Sequence, residues 1–366
     1  MAKVLGSAYY RSVPNPGTNR YLHLIVIGYF LELFFLLSLV GIAAGSGYGI
    51  YWVLTSGTVG GYVRYKLVIF FATVILSVLP CLFVFRPRYR PFGFEIQRNR
   101  HPRLWSLIDE VARGMQTKPP DTIFLNHEVN AAVFEVGGIF GMNRKRIMII
   151  GLGELSAVNI SEFRATIAHE LAHYAGKHTA LNGWLIRTSE RIELLAQEET
   201  PWLLALFVNF YLFVFMRFVG SLRRREEFYA DEISARLVGR TAAMESLKKE
   251  YIYGYLQEHF YDKGGMNAIH DGINYFAALR QYAKSAYNQD QFPNIEKKIG
   301  AIYPTPYDQH PTYPERIAFL RRLPDKPHNT DTRLARELLD NPDEVENGLT
   351  KWMKVLIDLT PTVPRD

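Results

Sequence analysis

The sequence predicts an α+β protein, mostly helical, with a small β-sheet, preceded by an N-terminal transmembrane helical hairpin. Three observations lead there. Two long apolar runs stand close together near the N-terminus, two short strand-like segments flank a glycine-rich turn around Gly137, and the stretches from Ser161 and from Arg223 read as amphipathic helices. Composition agrees, because 48% hydrophobic and 14% aromatic residues in a chain of 366 exclude a disordered or fibrous protein and supply a sizeable core. A single cysteine, Cys81, excludes both a disulfide framework and a metal site built from several thiolates. Any metal must rest on histidine and carboxylate.

The first run, Leu22 to Ala44, has 23 residues interrupted only by His23, Tyr29, Glu32 and Ser38. At about 1.5 Å rise per residue it is long enough to cross a bilayer. It is too long for the apolar region of a secretory signal, and no small-residue cleavage site follows, so a retained anchor is expected. The second run, Leu67 to Phe85, has 19 residues without a charge and carries Pro80, which membrane helices tolerate. Glu32 is costly against lipid and should face a neighbouring helix or a polar cavity. The loop between the runs is read as Gly45 to Tyr65. A third run, Trp202 to Met216, has 15 residues before Arg217 and is marginal for a full span.

Lys3, Arg11 and Arg20 precede the hairpin, Arg64 alone lies in its loop, and Arg86, Arg88, Arg90, Arg98, Arg100 and Arg103 follow it. Both ends are therefore expected in the cytoplasm. Directly after a membrane helix, such arginines suit topology and anionic headgroups better than nucleic acid, for which the chain has no module. The formal net charge of +6, from 42 Lys+Arg and 36 Asp+Glu, fits that reading.

From Ser161 the chain reads SEFRATIAHELAHYAGKH, a helix with Ser161 as its expected N-cap and Gly176 at its close. Within it His169 and His173, four apart, lie one above the other and converge on a point within a zinc ion's reach. Glu170 sits where its carboxylate can take a proton from a water that the ion acidifies. Two histidines on a helix face without any metal would share this pattern, so a third ligand matters. RRREEFYADEISARLVG, Arg223 to Gly239, offers Glu227 and Asp231 four apart on one face, with Gly239 at the helix end.

HELAH followed by EFYAD resembles the membrane-associated zinc metallopeptidases of the CAAX prenyl protease 1 and HtpX-like family, gluzincins with an HExxH helix and a later ExxAD helix. The resemblance runs from about Arg103 to the C-terminus and includes the hairpin in outline. It implies a zincin-type domain and one zinc ion held by His169, His173 and Glu227, with Glu170 as general base and Asp231 bonded to His169. Glu226, the rival ligand, misses the family register and is expected on the surface, paired with arginines. NAAVF, Asn130 to Phe134, resembles the family segment that leads into a substrate-binding edge strand, which implies Asn130, Ala131 and Ala132 as substrate contacts. The residues fit a hairpin with a second strand from Arg146 to Ile150, whose free edge can pair with an extended peptide; a purely structural hairpin would read the same. HPTYPERIAFL places His310 and Arg316 in a pattern resembling the family's HP…RI motif, which implies His310 as a stabiliser of the oxyanion.

In one respect the chain departs from the pattern. HtpX-type relatives are expected to carry two hydrophobic helices between the zinc motifs, whereas only one strong run stands here. Because His169 and Glu227 must meet, an odd number of crossings between them is excluded. Trp202 to Met216 is expected to lie along the interface, re-enter, or pack on the first two helices, unless Trp184 to Gln197 supplies a poor second crossing. Elsewhere, Gly151 and Gly153 read as a strand-to-loop turn, His178 as a helix-end cation, His259 and His270 as packing or surface residues, and Asp331 to Leu359 as polar terminal helices with a turn at Asn341-Pro342.

The expected organisation is a tail over 1–20, a transmembrane hairpin over 21–86, and a zincin peptidase domain over 87–366 with a membrane-associated segment at 202–220. The expected protein is an integral membrane zinc endopeptidase, of the inner membrane if bacterial, with its catalytic domain in the cytoplasm and a peptide substrate bound as an extended strand. The resemblance implies membrane protein quality control or processing. Three apolar runs are too few for the large intramembrane chamber of the prenyl protease branch. The alternative is a zinc-stabilised binding or chaperone-like membrane protein without turnover, which would have no need of Glu170.

Overall fold

The computed structural model describes residues 19–82, 93–136, 145–175, 202–302, 310–325 and 330–359. The chain divides into two units, one of Met1–Pro87, Lys177–Arg225 and Thr305–His310, the other of Arg88–Gly176, Glu226–Pro304 and Pro311–Asp366.

In the first unit, α1 (Asn19–Thr55) and α2 (Gly61–Leu82) form the expected hairpin. The loop is far shorter than the sequence suggested: α1 continues to Thr55, leaving only Ser56 to Gly60 between the helices. Gly45, Gly47 and Gly49, read as loop glycines, are helical. A Cβ at Gly49 would stand 2.8 Å from the Phe71 ring of α2, so the bare backbone is what lets the two helices approach. The third apolar run opens α6 (Trp202–Val238) and packs on the hairpin, one of the arrangements left open. Leu204, Val208, Tyr211, Phe215, Val219 and Leu222 recur every three or four residues and bury themselves against Phe35, Leu39, Val74 and Val78. Phe35 stacks on Tyr211 with ring centroids 4.3 Å apart. The opposite faces stay apolar and open, Phe30, Leu37, Leu76, Leu206 and Phe210 each being more than 60% exposed. A helix apolar all round, with its outer face uncovered, suits a lipid surround. All three helices are long and apolar enough to cross a membrane. Glu32 is half-buried.

The second unit is built on a four-stranded sheet in the order β1-β2-β4-β3, from β1 (Phe94–Ile96), β2 (Thr122–Asn126), β3 (Ala131–Val136) and β4 (Lys145–Gly151). β1 and β3 pair antiparallel with their neighbours, while β2 and β4 run parallel across the connection through β3. The hairpin predicted after Asn130 is present as β3 and β4, with β3 at the edge; its turn falls outside the described residues. β4 ends at Gly151, where a Cβ would lie 1.8 Å from the Glu128 carbonyl oxygen. That contact folds the chain directly into α4 (Leu152–Ala157), so the predicted turn at Gly151 and Gly153 leads to a short helix rather than a loop.

Around the sheet stand α3 (Pro102–Gly114), α5 (Ile160–Ala175), the second half of α6, and α7 (Arg240–Phe260), which packs on α4 and α5. α8 (Met266–His270), α9 (Tyr275–Asn288), α10 (Phe292–Gly300), α11 (Tyr313–Leu320) and α12 (Pro342–Leu359) complete it. Only a single 3-10 turn, Ala335–Leu338, precedes α12, where polar helices were expected; Asn341, at φ 53°, makes the predicted turn. The fully buried Glu346 of α12 accepts hydrogen bonds from Arg280 of α9 at 2.6 and 2.9 Å and from Arg336 at 2.9 Å. Two arginines assigned to headgroups have partners within the fold. Arg98 pairs with Asp109 and covers the Trp105 ring at 4.2 Å, and Arg103 binds Asp340 at 2.8 Å. Arg86, Arg88 and Arg90 lie outside the described residues.

Candidate metal centre

α5 begins two residues earlier than predicted. Asn159, not Ser161, is its cap: the Asn159 side chain accepts from the Glu162 N–H at 2.9 Å, and the Glu162 carboxylate accepts from the Asn159 N–H at 2.7 Å. Ser161 instead accepts the Asp331 N–H at 2.7 Å, and the Ile160 and Ser161 N–H groups donate to Arg333 and Asp331 carbonyls. Phe163, Ile167 and Leu171, four apart and fully buried, hold the inner face of the helix. His169, Glu170 and His173 lie off that stripe and remain half-buried. The imidazoles of His169 and His173 stand nearly perpendicular, centroids 5.1 Å apart.

α6 brings the second half of the centre. Ser234 donates to the Ala165 carbonyl at 2.7 Å and ties α6 to α5, and one and two turns earlier Asp231 and Glu227 are both buried. The Glu227 carboxylate lies 3.3 Å from His169 Nε2 and 3.6 Å from His173 Nε2, while Asp231 lies 3.0 Å from His169 Nδ1. A tetrahedral zinc at about 2.05 Å from each donor would separate the donor atoms by about 3.3 Å, so this set fits the ion. Among the described residues, the histidine and acidic side chains grouped within 4.8 Å of one another are His169, Glu170 and His173. Glu227 approaches both rings more closely than that bound, through Oε2 to His169 and Oε1 to His173, and could supply a further ligand.

Electrostatics match the geometry. Burial and the Arg316 charge push His169 down, but Asp231 and Glu227 outweigh them and raise its pKa to about 10. The carboxylates that hold a proton there are the ones that would hold a cation. Burial pushes Glu170 up to about 7, against the pull of the His169 charge and with help from Glu227 and Glu250. A carboxyl poised near neutrality can both take and return a proton.

Arg316, noted in the sequence only as part of a motif, is buried and carries a part that no spacing revealed. It comes from α11, which a capping box of Thr312 and Glu315 opens. Its guanidinium grips Asp231 with two bonds, Nε to Oδ2 at 2.9 Å and Nη2 to Oδ1 at 2.6 Å, and lies 3.6 Å from Glu227. A second unforeseen group backs α5: Thr166 donates to Glu154 at 3.0 Å and shares a 2.6 Å bond with Ser246 of α7, Glu154 being fully buried. A buried Thr one turn before His169 was the available signal, but its partners lie 12 and 80 residues away. Gln257 of α7 holds the residues before β3 by accepting from Val129 N–H at 3.1 Å and donating to His127 O at 2.7 Å.

Glu226 is buried, not at the surface as expected, because the face of α6 that carries Glu227 and Asp231 turns inward with it. His310 is exposed and belongs to the first unit. Of the residues assigned to substrate, Asn130 is exposed and gives its carbonyl to Gly151 N–H at 2.8 Å, Ala132 pairs with Ile149, and Ala131 is buried opposite Ile150. His259 packs its ring on Tyr255 at 3.9 Å. His178 and Trp184 to Gln197 fall outside the described residues.

A mostly helical protein with a small sheet, two histidines one turn apart on a helix, and a facing glutamate from another helix has the architecture of a metal-dependent hydrolase. The model of Peptidase family M48 matches residues 98–323, more than half of the chain, and the chain belongs to that family. No curated protein matches it.

Proposed function

We propose that this chain is an integral membrane zinc endopeptidase in which His169, His173 and Glu227 hold one zinc ion and Glu170 is the general base. The observation that carries the reading is the approach of Glu227 to both imidazoles, at 3.3 and 3.6 Å, with Glu170 adjacent and raised to about 7. A bound zinc ion supplies Lewis acidity, which polarises a peptide carbonyl and acidifies water. Glu170 takes the proton of the attacking water and returns it to the departing amine. Asp231 holds the His169 ring through Nδ1, leaving Nε2 for the ion, and Arg316 holds Asp231 in place. His310 is assigned to the oxyanion by the motif alone.

The substrate is an extended peptide lying along β3, the free edge of the sheet. Family membership and the apolar helices support work on membrane proteins, in their quality control or processing, with the hairpin and the first half of α6 in the bilayer and the peptidase unit on the cytoplasmic side.

The test is zinc content and casein cleavage on detergent-purified protein, wild type beside Glu170→Gln. One zinc in both with cleavage only in wild type is the expected result. One zinc in both and cleavage in neither would instead point to a zinc-stabilised binding or chaperone-like protein.

A further inference from the structure

The register of the sheet states which backbone groups of the edge strand are free. In an antiparallel pair, alternate residues exchange both of their hydrogen bonds with the partner strand and those between turn theirs outward. Asn130 accepts from Gly151 N–H, and the pairing continues through Ala132 with Ile149 and Phe134 with Ile147. Ala131, Val133 and Glu135 therefore face away from β4, and β3 is the last strand of the sheet. The central one of these carbonyls, that of Val133, is already engaged. Tyr174, the residue after His173 on α5, donates its hydroxyl to Val133 O at 2.5 Å.

That bond runs from the helix carrying the two histidines to the edge where a peptide would pair. The Tyr174 ring is braced by Arg146, whose guanidinium stands 4.7 Å from its centroid and bonds Glu135 at 3.3 Å. The half-buried tyrosine is thus held on a paired cation, not on a loose side chain. A peptide strand that reaches the histidines along β3 needs the lane the hydroxyl crosses.

The geometry points to Tyr174 as a latch across the substrate lane, one that closes the edge of β3 at Val133 and must release it before an extended peptide can pair along the full strand. Val133 is half-buried while Ala131 is buried, so a peptide that pairs along β3 has to take the Val133 carbonyl from the hydroxyl. This rests on the reading of β3 as the substrate edge. It adds that free enzyme is self-restrained, and that the restraint is one hydroxyl.

Tyr174→Phe keeps the ring on Arg146 and removes the bond. The measurement is affinity for a fluorescently labelled extended casein peptide, on full-length zinc-loaded protein in detergent, comparing Glu170→Gln with Glu170→Gln/Tyr174→Phe so that no turnover interferes. Loss of one net hydrogen bond from the closed form should tighten binding about two- to tenfold. With Glu170 present, Tyr174→Phe should lower KM and leave kcat unchanged. Equal or weaker peptide affinity in the double variant, or no binding to either protein, overturns the latch. Cleavage that needs Glu170 with affinity indifferent to Tyr174→Phe removes the latch alone. Tighter binding with no cleavage by wild type keeps it and removes the turnover reading.

Discussion

Arg316 and Glu154 are the two residues whose importance depends most on distant partners. Arg316 presents a planar fork to Asp231, and Asp231 in turn sets the His169 ring. Lysine can replace the charge but not the fork. Arg316→Lys is expected to weaken zinc binding about tenfold or more while leaving the fold in place, read by competition with a chelator. Glu154 is different in kind. Burial raises its carboxyl to about 8, with the Glu250 charge adding to the shift, so the folded protein keeps a proton that an unfolded chain releases near 4.5. The stability this contributes is complete below the lower value and is lost as pH rises through about 8. The melting temperature of wild type should accordingly fall between about pH 5 and about pH 9, and Glu154→Gln should flatten that slope and melt higher at the alkaline end. The pairs His169 with His173 and Glu227 with Asp231 were legible in the sequence, because helical spacing of four puts each pair on one face, and Glu170 was legible by lying next to His169. Arg316 as the holder of Asp231, and the Thr166 to Glu154 contact, were not, since no local spacing relates residues 85 or 12 positions apart on different elements.

At the scale of elements, glycines divide into those that a neighbour requires and those it does not. Gly151 lies where β4 turns into α4 against the Glu128 carbonyl, and an added Cβ at 1.8 Å from backbone oxygen cannot be accommodated by a side-chain movement. Gly254, inside α7, has nothing within 4 Å of an added Cβ. Gly151→Ala should destabilise by about 3 kcal/mol or prevent folding. Gly254→Ala should stabilise by about 0.5–1 kcal/mol through helix propensity, and thermal unfolding in one detergent compares the two. The same contrast explains where the sequence misled about element boundaries. Gly45, Gly47 and Gly49 carry the signature of a loop, yet all three are helical, and at Gly49 alone of the three the approach of the Phe71 ring makes glycine the residue that fits inside α1. Asn159 and Ser161 are equally good caps by type, and the choice fell to Asn159 because backbone from residues 331–333 occupies the Ser161 side of the helix start.

For the whole molecule, the meeting of His169 with Glu227 requires an even number of crossings between α5 and the polar half of α6. The positive-inside reading of the arginines that follow α2 places the C-terminal unit on their side. A reporter fused after Asp366 is therefore expected to behave as cytoplasmic, and an external signal would overturn the orientation. The sequence by itself determined the apolar runs, the helical faces bearing His169, His173, Glu227 and Asp231, and the β3–β4 hairpin, because each follows from a local period of two or about 3.6 residues. Only the tertiary structure decided that Glu226 is buried, that the first half of α6 packs on the hairpin, that Glu346 joins two arginines inside the fold, and that Tyr174 reaches Val133. Those facts depend on which faces meet and how closely, and contacts between residues far apart in the chain leave no periodic trace in it.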